Sequence, residues 1–201
     1  MQGLERGFTV MDSFLNLSGG IDSTLCMYHY LRENPDKTLL VHHCHMQNVE
    51  GRKEVETKAV ADVLAWLQAE GLTNYEYLET HFDSGTTGYG IYDHELFAFL
   101  AGMVLRRRVR HSVHRIIVPF IKVDVHTPDR DVRYMRVLRS MIPRRRMDLV
   151  TPLIHMTKEQ VIRALPRDLL VLTWYCRRPQ QGSTCGVCRT CLQVQPVLRS
   201  L

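Results

Sequence analysis

A seven-residue segment near the start of the chain, Leu-Ser-Gly-Gly-Ile-Asp-Ser at 17–23, combines small residues, hydroxyls and a carboxylate. Its two glycines let the backbone approach a ligand where a Cβ would crowd it. A helical pattern of apolar residues follows, so the loop lies at a helix N-terminus, where free N–H groups and the macrodipole favour an anion. Asp22 is out of place for pure anion binding and indicates Mg²⁺ beside nucleotide phosphates. The predicted phosphate-binding residues are Leu17, Ser18, Gly19, Gly20, Asp22 and Ser23.

This loop is neither a Walker loop nor a dinucleotide loop, because it lacks the Gly-Lys-Ser/Thr ending of the first and the Gly-x-Gly-x-x-Gly of the second. The remaining alternative is an ordinary Gly-Gly turn followed by a capping Asp or Ser. A strand pattern before the loop and a helical pattern after it favour the phosphate site. The run resembles the PP-loop of ATP pyrophosphatases, which split ATP between its α and β phosphates.

Four cysteines near the end of the chain form a second chemical pattern, Cys-x8-Cys-x2-Cys-x2-Cys, at Cys176, Cys185, Cys188 and Cys191. This spacing is typical of a structural Zn²⁺ site. Iron–sulfur ligation and an unliganded thiol patch stay open as alternatives. The first residues lack the features of a signal peptide, so we expect a cytoplasmic protein with reduced thiols. Cys26 and Cys44 lie outside the spacing and are expected to be buried small hydrophobes.

Apolar patterns of strand and helix type alternate along the 201 residues. They predict one α/β domain with a Rossmann-like parallel sheet covered on both faces, with ligands at the carboxyl ends of its strands. We assign 1–167 to this ATP-binding domain and 168–201 to a four-Cys segment packed on it. The predicted strands are 13–17, 38–43, 75–78, 115–121 and 149–153, and the predicted helices are 24–32, 53–69, 92–109, 127–141 and 157–165.

A His-His-Cys-His run at 42–45 closes the second predicted strand and is expected to face the same edge as the loop. Adjacent strand residues point to opposite faces, which disfavours a metal site. We therefore expect these side chains to line a pocket or to pack as neutral groups.

Arginines cluster at 106–110 and 144–146 in a chain with a formal charge of +5. Such clusters bind nucleic acid phosphates, or they are solvated helix ends in which Arg complements the dipole. Aromatic residues do not interleave with them, as a platform for single strands would require. Nucleic-acid binding therefore has only the charge in its favour, and it stays an alternative.

The PP-loop and the four cysteines together resemble the 7-cyano-7-deazaguanine synthase family of queuosine biosynthesis. Between them, Pro-Leu-Ile-His-Met-Thr-Lys-Glu at 152–159 resembles a Pro-Leu segment followed by Thr-Lys and an acidic residue in the family. Thr-Trp-Tyr-Cys at 173–176 resembles its Thr-Trp-Ser-Cys, and Asp124 with Pro128-Asp129 resembles its Asp and Pro-Asp pair. The resemblance covers nearly the whole chain in order and is strongest at its two ends.

This resemblance implies an ATP-dependent ligase that converts 7-carboxy-7-deazaguanine and ammonia into the nitrile through an adenylated carboxylate and an amide. It implies ATP, Mg²⁺ and Zn²⁺, and a homodimer. Asp22 and Lys158 are the implied catalytic residues, with Lys158 neutralising the departing pyrophosphate; an exposed first-turn lysine is the alternative. Asp124 and Asp129 are the implied substrate residues, and N-capping is the alternative for Asp129.

Two segments depart from the family pattern, at 42–52 and 90–95. A divergent member could stop at the amide, act on tRNA or another carboxylate, or serve DNA modification. An alternative from another functional class is a non-catalytic binding module that depends on a nucleotide or on zinc.

Overall fold

The sheet at the centre of the computed structural model has five parallel strands in the order β3-β2-β1-β4-β5. Residues 10–85, 93–107, 112–122, 129–143 and 145–201 are described. The elements are β1 (Val10–Asn16), α1 (Ile21–Glu33), β2 (Lys37–Gln47), α2 (Lys53–Ala69), β3 (Tyr75–Asp83), α3 (Asp93–Arg107), β4 (Arg115–Ile117), α4 (Arg130–Met141), β5 (Asp148–Val150), α5 (Lys158–Ala164), α6 (Arg167–Leu170) and α7 (Arg189–Arg199).

β1 is the central strand and is buried on both faces. Phe14 pairs in register with Leu40 of β2 and with Ile116 of β4. All four strand pairs are parallel, so the carboxyl ends of the strands share one edge, as predicted. The loop that follows β1 is therefore placed at the middle of that edge.

Successive side chains of β1 point to opposite sides of the sheet. Because both sides include buried apolar side chains, each face is covered by helices. Phe14 belongs to a core shared with α3 and α4. Leu15 belongs to the opposite core, which includes residues of α1, α2 and α5, and also Leu169, Leu170 and Val194 of the C-terminal segment. The predicted α/β class with two covered faces is confirmed. In the described part of the chain, no helix is long and apolar enough to cross a membrane.

Helix α2 spans the predicted residues 53–69, and Gly71 follows it with φ +75°. The ends of other elements differ from the prediction. β2 continues to Gln47 because its ladder with β3 extends to Asp83, so the His-His-Cys-His run lies inside the strand instead of closing it. β4 and β5 end early, and a proline follows each within two residues, where it cannot donate a ladder hydrogen bond.

Helix α7 was not predicted, because Cys dominates the segment and a proline, Pro196, lies inside the helix. The arginines at 108, 110 and 144, and most of the Gly-rich segment 84–90, lie outside the described residues.

Gly102 lets α3 and α4 approach closely. A Cβ built at this position would collide with Cβ of Met141 and lie 2.8 Å from its Cγ. These atoms are near the Met141 backbone and cannot swing away easily. The contact therefore sets the distance between the two helices.

We expect Gly102→Ala to lower the free energy of unfolding, although alanine favours helix by about 1 kcal/mol. Overpacking costs about 1–3 kcal/mol, so the net loss should be about 1 kcal/mol. Urea unfolding measures it, with Met103→Ala on the exposed side of the same helix as control. A more stable Gly102→Ala protein would contradict the close approach.

Candidate functional site

The predicted phosphate loop, residues 17–23, turns sharply between β1 and α1, and glycine is required at its centre. We call it the phosphate loop below. Gly19 has φ +73°, and a Cβ there would lie 3.0 Å from both Ala59 Cβ and the Glu56 carbonyl oxygen. A side chain would be strained by the backbone angle and crowded by α2. The loop is thus pressed against the start of α2.

The N-terminus of α1 begins at this loop without a side-chain cap. Gly20 is the N-cap residue and has extended backbone angles. The Ser23 hydroxyl accepts a hydrogen bond from the Ser18 N–H at 3.2 Å, and the two serine hydroxyls lie 3.1 Å apart. These bonds hold the loop closed, while the first turn of α1 presents backbone N–H groups suited to an anion.

Asp22 and Lys158, which are 136 residues apart, meet at the first turn of α1. The Lys158 ammonium donates to both carboxylate oxygens of Asp22, at 2.7 and 2.6 Å. Lys158 is placed by a capping box at the start of α5, in which Thr157 and Gln160 bond reciprocally. With its side chain only 17% exposed, Lys158 is not the solvated first-turn lysine of the alternative.

A cavity of about 590 Å³ opens in front of this pair. Of the predicted phosphate residues, Ser18, Gly20 and Asp22 line it, as does Lys158. Among the described residues, five Phe, Tyr and Trp side chains also line it: Phe97, Phe120, Tyr134, Trp174 and Tyr175. The cavity is therefore polar at the loop and broad and aromatic elsewhere.

Of the two predicted substrate residues, Asp129 is described, and it is not among the residues that line this cavity. Asp129 is exposed at the N-cap position of α4, with φ 54° and no side-chain capping bond. The capping alternative for its side chain is therefore wrong. Asp124 lies outside the described residues, and the substrate role of both stays a prediction.

A buried ion network forms another part of the wall. Arg52 is 6% exposed and bonds Glu56 at 2.5 Å and Asp93 at 3.1 Å. Arg177, from the four-Cys segment, reaches Asp93 at 2.9 Å and Glu50 at 3.2 Å. Burial raises the pKa of Glu56 to about 7, against the opposing effect of Arg52.

No motif of the sequence marks this network as a site. Its only signal was indirect, because Arg52 and Asp93 fall within the two segments that depart from the family pattern. Residues from three separate parts of the chain form it, and their pairing depends on tertiary structure.

The C-terminal segment is bound to the phosphate loop through the backbone. The Trp174 N–H donates to the Gly19 carbonyl oxygen at 2.8 Å. Cys176, Arg177, Arg189 and Thr190 of the same segment line the cavity. The segment is therefore a wall of the site as well as a packed appendage.

The four predicted cysteines converge, with all four sulfur atoms within 4.8 Å of one another. Tetrahedral Zn²⁺ with bonds of about 2.3 Å sets sulfur atoms about 3.8 Å apart, and the Sγ atoms of Cys185 and Cys191 are 3.9 Å apart. Backbone N–H groups of Cys185, Cys188 and Cys191 donate to neighbouring sulfurs at 3.3–3.4 Å. The residues fit a four-thiolate metal ion, which these N–H groups would help to stabilise.

The histidines of β2 pack as hydrogen-bonded groups. The two ring nitrogens of His42 lie 2.8 Å from Asn16 Oδ1 and 2.9 Å from Thr80 Oγ1, and Nδ1 of His43 lies 2.9 Å from the Leu17 carbonyl oxygen. Burial lowers the pKa of both histidines to about 4. The hydrogen bonds and the lowered pKa values agree with the prediction of neutral packing.

We expect acid to destabilise the protein through His42 and His43. Their pKa values are about 4 when folded and about 6.5 when unfolded, so their contribution is complete above pH 6.5 and is lost as the pH falls toward 4. Between pH 7.5 and 5.0 the loss should be about 2 kcal/mol per histidine.

Urea unfolding at both pH values measures this loss, and His42→Gln and His43→Gln should each reduce the pH dependence. An unchanged pH dependence in both variants would contradict neutral burial.

We expect the purified protein to contain about one equivalent of zinc per chain. Elemental analysis measures it, and iron with visible absorbance would overturn the zinc assignment. Cys176→Ser should lose the metal, and Cys26→Ala, a buried thiol outside the cluster, should retain it.

Comparison with known proteins supports the fold and identifies the family. NMN synthetase from Francisella tularensis superposes with a TM-score of 0.53 at 16% identity, over 88% of this chain and 71% of that one. The U34-tRNA thiolase NcsA from Methanococcus maripaludis, solved with its [4Fe-4S] cluster, gives 0.54 at 15% identity, over 89% and 62%. No curated protein matches significantly by sequence.

The model of the family described as queuosine biosynthesis protein QueC matches residues 99–200. This match includes α5, Lys158 and all four cysteines, and the two solved structures share the overall fold of the chain. The chain therefore belongs to the QueC family of queuosine biosynthesis proteins.

Proposed function

We propose that this protein is an ATP-dependent ligase that converts 7-carboxy-7-deazaguanine and ammonia into 7-cyano-7-deazaguanine. Family membership and the PP-loop fold support an ATP-using reaction. One observation carries the proposal: Lys158 is held on Asp22 at the first turn of α1, inside a cavity large enough for a nucleotide and a second ligand.

The phosphate loop supports cleavage of ATP at the α phosphorus. The first turn of α1 and the loop backbone would bind phosphate oxygens, and Asp22 would hold Mg²⁺, which neutralises phosphate charge. Lys158 would then stabilise the negative charge that develops on the departing pyrophosphate. A substrate carboxylate oxygen displaces this pyrophosphate, so no side-chain nucleophile is required.

The overall conversion requires two ATP molecules, one to activate the carboxylate and one to activate the amide. Ammonia attacks the adenylated carboxylate, giving the amide and AMP, and the nitrogen loses a proton. A second ATP adenylates the amide oxygen with release of pyrophosphate. Loss of AMP and the remaining nitrogen protons then leaves the nitrile, so each of the two substrate oxygens departs on AMP.

The aromatic part of the cavity supports a planar heterocyclic substrate. Phe97, Phe120 and Tyr134 lie on the wall formed by α3, α4 and the end of β4. Flat rings bury area against such side chains, and offset stacking adds about 0.5–1.5 kcal/mol per pair. The guanidinium of Arg130 lies 4.9 Å above the Phe120 ring centroid and gives this wall a cationic edge.

The altered ion network favours a second candidate outcome, in which the reaction ends at the amide. Asp93 lies in a segment that departs from the family pattern and is bonded there to Arg52 and Arg177. A changed wall beside the acceptor could prevent the second activation. Mass spectrometry of the product from ATP, ammonia and the carboxylate distinguishes the amide from the nitrile, which differ by one water.

We expect Asp22→Asn and Lys158→Gln to reduce ammonia-dependent pyrophosphate release by about 100-fold or more. The first removes the carboxylate that would hold Mg²⁺, and the second removes the cation that would stabilise the departing pyrophosphate. Lys58→Gln, which removes a surface lysine paired with Asp62 on α2, is the matched control and should leave the rate unchanged.

Pyrophosphate release and thermal unfolding are measured on the same preparations, which separates lost catalysis from lost folding. Full pyrophosphate release by Asp22→Asn would contradict the catalytic role of Asp22. If the unaltered protein turned over no deazaguanine, the proposed substrate would be wrong.

A further inference from the structure

One face of the molecule, formed by α3, α4 and the residue stretch after α4, is rich in exposed arginines. We call it the α3–α4 face. Its exposed arginines are Arg106, Arg107, Arg136, Arg139 and Arg146.

These five arginines form no ion pair and no side-chain hydrogen bond with any residue in the described ranges. Some exposed cations elsewhere on the surface pair with acids one helical turn away, as Lys58 does with Asp62 and Arg163 with Glu159. The acids of α3 and α4 lie in the first turns of these helices, away from the arginine-rich end. The positive charge of the face is therefore not offset locally.

Helix-end stabilisation accounts for only part of this arrangement. Arg106, Arg107 and Arg139 lie in last helical turns, where a cation complements the dipole. Arg136 lies in the interior of α4, and Arg146 lies outside any helix. The helix dipole therefore does not explain why these two residues are arginine.

Apolar side chains are exposed between the arginines. Phe99 is 38% exposed, Met103 45% and Val132 46%. They are three of the exposed large hydrophobic residues among the described positions, and all three lie on α3 or α4. A surface that combines guanidinium groups with an aromatic ring suits a ligand that carries both phosphates and flat bases.

The two helices run side by side, so these residues share one surface. The Arg133–Glu95 ion pair at 2.9 Å joins their first halves, and the close contact of Gly102 with Met141 joins their second halves. Phe99 therefore lies level with the middle of α4, where Arg136 is exposed. The face extends along the 12 residues of α4, about 18 Å.

The α3–α4 face is continuous with the candidate active site. Arg130 and Tyr134 in the first half of α4 line the cavity. Arginines then recur at every third position of the helix, ending at Arg139. A polyanion lying along this row would have one end at the mouth of the cavity.

We propose that the α3–α4 face binds the sugar–phosphate backbone of a nucleic acid. The chain has 21 arginines and five lysines, and the exposed cations of this face are all arginine. The planar guanidinium matches phosphate geometry in a bidentate way and stacks on bases, whereas lysine provides only a point charge. This proposal does not depend on the proposed ligase reaction.

The test is fluorescence anisotropy of labelled tRNA and of a labelled single-stranded RNA, each titrated with the full chain at several KCl concentrations. We expect binding that weakens steeply with salt. Arg136→Gln and Arg139→Gln should each weaken binding several-fold and reduce the slope of log K against log[KCl] by about 1. Arg199→Gln is the matched control, because Arg199 is an exposed arginine in the last turn of α7, as Arg139 is in α4.

Three results would overturn the proposal: no salt-dependent binding of either RNA, equal losses in Arg199→Gln, or equally strong binding of polyglutamate, which would indicate an acidic protein partner instead. Pyrophosphate release by Arg136→Gln and Arg139→Gln should match that of the unaltered protein. Its retention alongside lost RNA binding separates this surface from the catalytic site.

Discussion

The contact between Lys158 and Asp22 is the interaction on which the arrangement of the site depends. It requires β1 to deliver the loop to the middle of the sheet edge and β5 to deliver α5 to the same edge. Parallel pairing brings both carboxyl ends together. The pair also keeps the Asp22 carboxylate beside a helix N-terminus that is itself positive. A cation and a carboxylate are thus prepositioned where phosphate charge would arrive.

The four-Cys segment acts on this site at close range. The hydrogen bond from Trp174 to Gly19 ties it to the most constrained residue of the loop, where neither the backbone angle nor the space admits a Cβ. Arg177 ties it to the opposite wall through Asp93. A metal ion on the four thiolates would therefore order the cavity, because ligation restricts the backbone that makes both contacts.

The two ends of the cavity, at the PP-loop and at the ion network, differ in how far they follow family expectation. At the PP-loop, the local sequence with its glycines follows the family pattern, and the long-range contact of Lys158 with Asp22 agrees with it. The other end contains instead the buried network of Arg52, Glu56 and Asp93, in which charges are compensated within the protein. Such pairs are costly to break once buried, so this wall is expected to be rigid and to select its ligand by shape.

The sequence by itself determined the PP-loop, the parallel α/β class, the bounds of α2 and the cysteine quartet, because each depends on local spacing or backbone preference. Only the tertiary structure decided the length of β2, the existence of α7 and the ion network. Strand length depends on how far the partner strand continues, as β3 does to Asp83. The network depends on residues brought together from 50, 93 and 177, and no local pattern encodes which distant charges become neighbours.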